Sequence, residues 1–104
     1  MFLITNEKIL KRILILYLTG TRGGPIRLEI LMLIRKAPEN TNILSKKLGL
    51  DYKTVQHHIR VLEKANLIIS SKKKYNNCYE LSTLLKSNNQ IIDEIYKIWE
   101  KVNK

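Results

Sequence analysis

Two short helical segments joined by a tight turn, over residues 41–66, constrain the fold of this chain more than any other feature. The first segment ends at Gly49, and the second begins directly after the capping residue Asp51. The helix that ends at Gly49 can be capped by Asn40, Thr41 or Asn42. The apolar stripe of the second helix, at i, i+4 and i+7, is Val55, Ile59 and Leu62. Two helices separated by a few residues around a glycine form a helix-turn-helix unit.

The residues that follow this unit predict a β-hairpin and a closing helix. LIIS and CYELS are short β-like runs on either side of the cationic turn SKKKYNN. One domain is expected over residues 1–104, divided into an N-terminal helix at 5–19, a second helix at 25–37, the helix-turn-helix at 41–66, a wing hairpin at 67–82 and a C-terminal helix at 88–103. The sequence therefore predicts a mostly α winged helix-turn-helix domain of order α-α-α-α-β-β-α.

The charge of the chain indicates a polyanionic partner. The net charge is +10, and residues 41–74 alone carry +6 of it. A basic surface of this kind favours nucleic acid first and an anionic membrane surface second. No stretch approaches the roughly 20 apolar residues that span a bilayer, so no membrane partner is expected. The single cysteine, Cys78, excludes an intramolecular disulfide and suits a reducing cytoplasm.

The surplus positive charge lies where a helix-turn-helix protein meets double-stranded DNA. The first turn of the second helix points toward base edges or phosphates in such proteins. Gln56 can present its amide to adenine, and Arg60 can bind guanine or a phosphate. The predicted DNA-binding residues are Lys46, Tyr52, Lys53, Thr54, Gln56, His57, Arg60, Lys72, Lys73 and Lys74.

Two adjacent histidines, His57 and His58, raise the question of a metal or catalytic site. Neighbouring residues on a helix point about 100° apart, whereas a helical zinc pair needs a spacing of three or four residues. The chain offers no suitably spaced third ligand, and Cys78 has no histidine nearby in sequence to act as a base. We therefore expect no metal site, no cofactor, no catalytic residues and no enzyme activity.

Four segments together resemble the ArsR-type winged-helix transcriptional regulators of prokaryotes, especially archaeal members. They are PIRLEILMLI, LSKKLGL, TVQHHIRVLEKANLI and CYELS, within about residues 22–83. The resemblance implies a homodimer that binds a near-palindromic operator and represses transcription. It also places His58 at the family's histidine position, with a structural role. His57 is then the DNA-facing histidine, and DNA affinity is expected to rise modestly as the pH falls from about 7.5 to 6.

The same resemblance implies that the two chains join through their first and last helices. The apolar arc of the first helix is too wide for a lone surface helix, so that helix packs against the domain, a second chain or both. The predicted interface residues are Ile9, Ile13, Leu16, Tyr17, Ile92, Ile95, Trp99 and Val102. For Trp99, packing within its own domain is the alternative.

Two departures from the family pattern bear on what the regulator senses. Metal-sensing members often carry Cys-x-Cys in the helix before the recognition helix, and NILSKKLG contains no cysteine. The C-terminal helix contains neither histidine nor cysteine, so a metal-sensing role is poorly supported and any small-molecule effector is unknown. The alternative functions are a winged-helix protein-interaction module, a non-specific architectural DNA binder and, least favoured, binding to a membrane surface through the first helix.

Overall fold

A computed structural model describes residues 7–19, 22–71 and 77–102 of the chain. Its elements are α1 (Glu7–Leu18), α2 (Gly24–Lys36), β1 (Glu39–Asn40), α3 (Thr41–Leu48), α4 (Tyr52–Lys64), β2 (Ile68–Ser71), β3 (Cys78–Leu81), α5 (Thr83–Ser87) and α6 (Gln90–Val102). The helix-turn-helix of α3 and α4 is followed by the β2–β3 hairpin. The predicted fold class, a mostly α winged helix-turn-helix, is confirmed.

The local signals around the helix-turn-helix act as the sequence predicts. Asn40 caps α3, because its Oδ1 accepts a hydrogen bond from the Ile43 N–H at 2.8 Å. Gly49 ends α3 in the left-handed conformation at φ 68°, which a residue without Cβ adopts at little cost. Asp51 caps α4 by accepting from the Thr54 N–H at 3.3 Å. Asn40 thus fixes the start of α3, and Gly49 and Asp51 fix where α3 ends and α4 begins.

The structure adds two elements that the sequence pattern did not predict. β1 is a two-residue strand that pairs with β3, so the sheet has three antiparallel strands in the order β1-β3-β2. Glu39 and Asn40 have little intrinsic strand preference, and it is the pairing with β3 that makes them a strand. α5 is a short helix capped by Ser82, whose hydroxyl accepts a hydrogen bond from the Leu85 N–H at 3.3 Å.

Helix α1 divides its apolar residues between the core and the surface. Leu10, Leu14 and Leu18 are buried in the domain core, whereas Ile9 and Leu16 keep 45% and 59% of their surface exposed. The helix therefore packs on its own domain with one face and presents a second apolar face to solvent. This arrangement explains why its apolar arc is wider than a lone surface helix needs.

Helix α6 closes the core against α1 and α2. Ile92 and Ile95 have no exposed surface in the single chain. They are core residues with no surface left to offer a second chain, so their assignment to the dimer interface is corrected. Two ion pairs hold the helix at its edges: Lys11 to Glu94 at 2.7 Å and Arg35 to Asp93 at 2.9 Å. Within the described residues, no helix is long and apolar enough to cross a membrane.

Candidate nucleic-acid interface

The outward side of α4 carries a row of exposed polar and cationic side chains. Lys53, His57 and Arg60 are exposed, and their i, i+4, i+7 spacing places them on one stripe of the helix. Tyr52 is exposed at the start of α4, and Lys46 is exposed on α3. The inward side of α4 holds the buried stripe Val55, His58, Ile59 and Leu62. The helix thus offers one continuous face to solvent while the other fixes it to the domain.

Thr54 and Gln56 are half-buried beside this exposed face. The Thr54 hydroxyl donates to Asp51 Oδ1 at 2.5 Å, in addition to the bond from its backbone N–H. These two hydrogen bonds lower the pKa of the Asp51 carboxyl, because they favour its charged form. The Thr54 hydroxyl proton is therefore engaged in the helix cap, and Thr54 shapes the start of α4.

A polar hollow of about 350 Å³ opens between α4, the start of α3 and the base of the wing. Its lining residues are Asn40, Thr41, Asn42, Tyr52, Gln56, Asn77 and Tyr79. Burial raises the pKa of the Tyr79 phenol, which shares a hydrogen bond with Thr41. The lining therefore consists of neutral amide and hydroxyl groups, which donate to and accept from base edges, sugars and phosphates.

Sequence reasoning missed most of this hollow. Of its lining, only Tyr52 and Gln56 were predicted to bind DNA, and the remaining residues come from β1, the start of α3, β3 and its approach. The wing residues Asn77 and Tyr79 reach the start of α3 through the tertiary pairing of β3 with β1. A weak signal was present in the asparagines Asn40, Asn42 and Asn77, which lie at the ends of predicted elements where polar side chains gather.

The three wing lysines, Lys72, Lys73 and Lys74, lie outside the described residues. The base of the wing is described: Ser71 pairs with Cys78, and Ile68 pairs with Leu81. β2 and β3 are therefore antiparallel partners at this base. The contribution of its lysines to DNA binding stays a prediction.

The two histidines occupy different environments, as helical geometry predicts. His57 is exposed, whereas His58 retains only 6% of its surface. His58 Nδ1 lies 3.1 Å from Nη1 of Arg27, a buried residue of α2. The pKa of His58 is lowered, first by burial and then by the positive charge of Arg27 and the neighbouring His57. His58 is therefore a neutral core histidine at pH 7.

A second surface, which we call the α1/α6 patch, combines exposed apolar residues of the first and last helices. Its most exposed members are Ile9, Leu16, Ile98 and Val102, and Val102 is 76% exposed. Ile13, Tyr17 and Trp99 are half-buried. The Lys11–Glu94 ion pair holds the two helices side by side. Exposed apolar side chains gathered on neighbouring helices are typical of protein–protein contacts.

The described residues contain no group of three or more His, Cys, Asp or Glu side chains placed to hold a metal ion. Cys78, at the start of β3, is buried. Apart from the capping carboxylate of Asp51 and the imidazole of His57, the fully exposed polar groups of the helix-turn-helix are cations, amides and hydroxyls. This chemistry matches the binding of a polyanion with exposed hydrogen-bonding groups.

Residues 24–70 match the family model described as bacterial regulatory protein, arsR family. The matched region runs from the start of α2 into β2 and includes the whole helix-turn-helix unit. A search of curated protein sequences finds no significant match.

Solved structures of three bacterial proteins share the fold over nearly their whole length. The transcriptional repressor BigR from Xylella fastidiosa has a TM-score of 0.68 and 18% identity, covering 94% of this chain and 93% of its own. Reduced HlyU from Vibrio cholerae has a TM-score of 0.61 and 18% identity, with 94% and 95% covered. The third is the homodimeric winged helix-turn-helix DNA-binding domain of Mb0332 from Mycobacterium bovis. It has a TM-score of 0.66 and 12% identity, and the match covers 100% of this chain and 94% of that domain. The chain therefore has the winged helix-turn-helix fold of these structures, and the predicted resemblance to ArsR-type regulators is confirmed over residues 24–70.

Proposed function

We propose that the protein is a sequence-specific, double-stranded DNA-binding transcriptional repressor of the ArsR type, acting in the cytoplasm as a homodimer and without enzyme activity. One observation carries the proposal: α4 is anchored by a buried stripe and presents Lys53, His57 and Arg60 along its exposed face. A helix held in this way can enter a major groove with its polar side chains toward the bases.

Two kinds of DNA contact are assigned to this surface. The cations Lys46, Lys53 and Arg60 neutralise phosphates and release counterions, which gives affinity that falls with salt. Gln56 and the other lining groups of the hollow provide neutral donors and acceptors for base edges or the sugar-phosphate backbone. We also propose that the wing lysines Lys72, Lys73 and Lys74 contribute to phosphate binding, in line with the concentration of positive charge in residues 41–74.

The α1/α6 patch supports self-association, with a second copy of the chain covering it. Within the part of the chain that the structure describes, Ile9, Leu16 and Val102 remain exposed, and the comparison structure of Mb0332 is a homodimer. The interface residues proposed are Ile9, Ile13, Leu16, Tyr17, Trp99 and Val102. Two recognition helices related by a two-fold axis would read the two halves of a near-palindromic operator.

Fluorescence anisotropy of labelled duplexes tests the DNA-binding proposal. The duplexes are DNA from upstream of the protein's own gene and a shuffled version, each measured at two salt concentrations. We expect the native duplex to bind about 10³-fold or more tightly than the shuffled one. Equal affinity with a steep salt dependence would indicate a non-specific architectural binder. No binding to either duplex at low salt would favour a protein-interaction module.

Sedimentation equilibrium tests the homodimer with a matched pair of variants. Ile9 and Ile69 are 45% and 44% exposed, but only Ile9 lies in the α1/α6 patch. We expect Ile9→Glu to shift the chain toward the monomer by about 10-fold or more in dissociation constant, since it places an unpaired charge in an apolar contact. Ile69→Glu should leave self-association unchanged. Equal behaviour of the two variants would contradict the proposed interface.

A further inference from the structure

Arg27 is a buried arginine of α2 whose side chain contacts both α1 and α4. It is only 6% exposed. Its Nε donates to the carbonyl oxygen of Tyr17, in the last turn of α1, at 3.0 Å. Its Nη1 lies 3.1 Å from His58 Nδ1 on α4. One rigid guanidinium thus joins the end of α1 to the middle of the recognition helix.

The chemistry of this contact fixes the protonation state of His58. A guanidinium has only N–H donors and stays charged in proteins. His58 Nδ1 must therefore accept the hydrogen bond, and the ring carries its single proton on Nε2. A second proton on the ring would occupy Nδ1, remove the acceptor and set two positive charges side by side.

The turn between α1 and α2 is packed tightly onto the same pair. A Cβ atom added to Gly23 would lie 2.4 Å from His58 Cε1 and 2.6 Å from Arg27 Nη1. Both distances are well inside van der Waals contact. Gly23 therefore lets the backbone close over the Arg27–His58 pair, and the three helices meet there without a gap.

The titratable and charged neighbours of this pair come from all three helices. Arg27 itself is from α2. On α4, the ring of His57 lies 5.3 Å from that of His58, measured between centroids. From α1, the phenol of Tyr17 interacts electrostatically with Arg27. Burial lowers the pKa of Arg27, but guanidinium pKa values are so high that it remains charged.

We propose that Arg27 is a positioning residue for DNA recognition: by bridging Tyr17 and neutral His58, it fixes the angle between the helix that pairs two chains and the helix that reads DNA. This inference rests on the proposed function, since the angle matters only where α1 joins the protomers and α4 enters the groove. The orientation of the two recognition helices determines whether both half-sites bind at once. Protonation of His58 breaks the bridge and frees that angle.

The test compares duplexes with two half-sites and with one. The probes are the best-binding duplex from the anisotropy experiment and the same duplex with one half scrambled. Arg27→Met removes the bridge, and Arg22→Met removes an equal charge from an exposed position in the turn between α1 and α2. We expect Arg27→Met to reduce the two-site to one-site affinity ratio by about 5-fold or more, while Arg22→Met leaves it unchanged. An unchanged ratio in a folded Arg27→Met variant would overturn the proposal.

A pH profile separates positioning from a merely structural role. In the wild-type chain the two-site to one-site affinity ratio should fall as the pH drops through the folded-state pKa of His58, which burial and Arg27 hold below its ordinary value. His58→Asn places a non-titrating oxygen near the position of Nδ1, so its ratio should be insensitive to pH over this range. A wild-type ratio that stays constant at every acidic pH at which the protein remains folded, or a His58→Asn ratio that falls in parallel with it, would contradict the bridge.

A DNA-free measurement keeps the inference distinct from the proposed function. Residual dipolar couplings report the angle between α1 and α4 in the free protein. We expect that angle to change or to average in Arg27→Met and to stay fixed in Arg22→Met. If wild-type protein shows no preference for two half-sites, the operator proposal fails while the couplings still decide the role of Arg27. Identical couplings in Arg27→Met and wild type would overturn that role.

Discussion

The inward and outward sides of α4 differ in almost every physical respect, although neighbouring residues contribute to both. His58 is packed against Arg27 within the core, and His57, one residue earlier, is exposed beside Lys53 and Arg60. The inward side sets the position of the helix, and the outward side supplies groups for a ligand. A rotation of about 100° between adjacent residues is enough to separate these two roles. Substitutions on the two sides should therefore affect different measurements.

The largest expected effect is on stability, from the inward side. Leu62 is fully buried on α4, and Leu62→Ala should lower the free energy of unfolding by about 2–5 kcal/mol because it removes packed methyl groups and leaves a cavity. Urea unfolding measures this change. Arg60→Ala, two residues away on the exposed side, is the control and should change the stability by less than about 0.5 kcal/mol. Equal losses in both variants would remove the distinction between the two sides.

A smaller loss of stability is expected where the backbone closes over the Arg27–His58 pair. Gly23→Ala should cost about 1–3 kcal/mol, since the added Cβ overlaps both side chains. Urea unfolding of Gly23→Ala, Arg27→Met and the double variant gives the coupling between them. The loss in the free energy of unfolding should be smaller in the double variant than the sum of the losses in the two single variants, because removal of the guanidinium relieves part of the overlap. Strict additivity would indicate that Gly23 and Arg27 do not contact each other.

On the outward side, the expected effect is on DNA binding. Arg60→Ala should weaken binding to the preferred duplex by about 1–3 kcal/mol while the protein keeps its stability. Lys53→Ala should weaken binding to all duplexes alike and reduce the salt dependence by about one counterion if it contacts a phosphate. Anisotropy titrations at several salt concentrations measure both. Unchanged affinity and salt dependence in both variants would place the DNA on another surface.

The pH dependence of stability should come from the inward histidine. The folded-state pKa of His58 is lowered, so the unfolded chain binds a proton more readily and the free energy of unfolding falls as the pH drops below about 6.5. Urea unfolding between pH 5.5 and 7.5 measures this, a range that lies above the titration of Asp51 and Asp93, whose pKa values are also lowered. His57→Ala should keep the dependence. His58→Asn should flatten it, and a dependence that survives in His58→Asn would assign it to another group.

The smallest expected effect is a modest pH dependence of DNA binding through His57. DNA affinity should rise as the pH falls, whereas the stability discussed above should decrease. Protonated His57 adds a cation at the proposed interface, so affinity for a single half-site should rise between about pH 7.5 and 6. The single half-site removes the contribution that the Arg27 bridge makes to two-site binding. Anisotropy titrations of wild type and His57→Ala measure the effect. A rise that persists in full in His57→Ala would exclude this histidine as its source.

The sequence predicted those features that depend on local chemistry. Asn40 caps the start of α3, Gly49 ends that helix, and Asp51 caps the start of α4. Each of these roles depends only on backbone within a few residues. The i, i+4, i+7 stripe of α4 was equally readable, since periodicity reports burial. Helix geometry also predicts that His57 and His58 point in different directions, and the family resemblance gives the structural role to His58.

The features that the sequence did not predict depend on which segments meet in space. The polar hollow needs Asn77 and Tyr79 of the wing beside Gln56 of α4, and β1 exists only through its pairing with β3. Ile92 and Ile95 lie on the apolar stripe of an amphipathic helix, and a stripe alone does not tell a dimer interface from the core of the same domain, which is what covers them. Arg27 had a readable signal, because it shares a helical face with Leu31 and Ile34 and a charge at such a position is rarely buried without a partner.

Mapping the DNA contact onto the isotope-labelled chain tests the central claim most directly. The measurement is the change in backbone amide chemical shifts when the best-binding duplex is added. We expect the large changes at the start of α3, along the exposed side of α4 around Lys53, His57 and Arg60, and near Asn77. The α1/α6 patch should be unaffected, because in the proposed homodimer the second chain covers it in both the free and the bound protein. Large changes centred on that patch, with none on α4, would contradict the account.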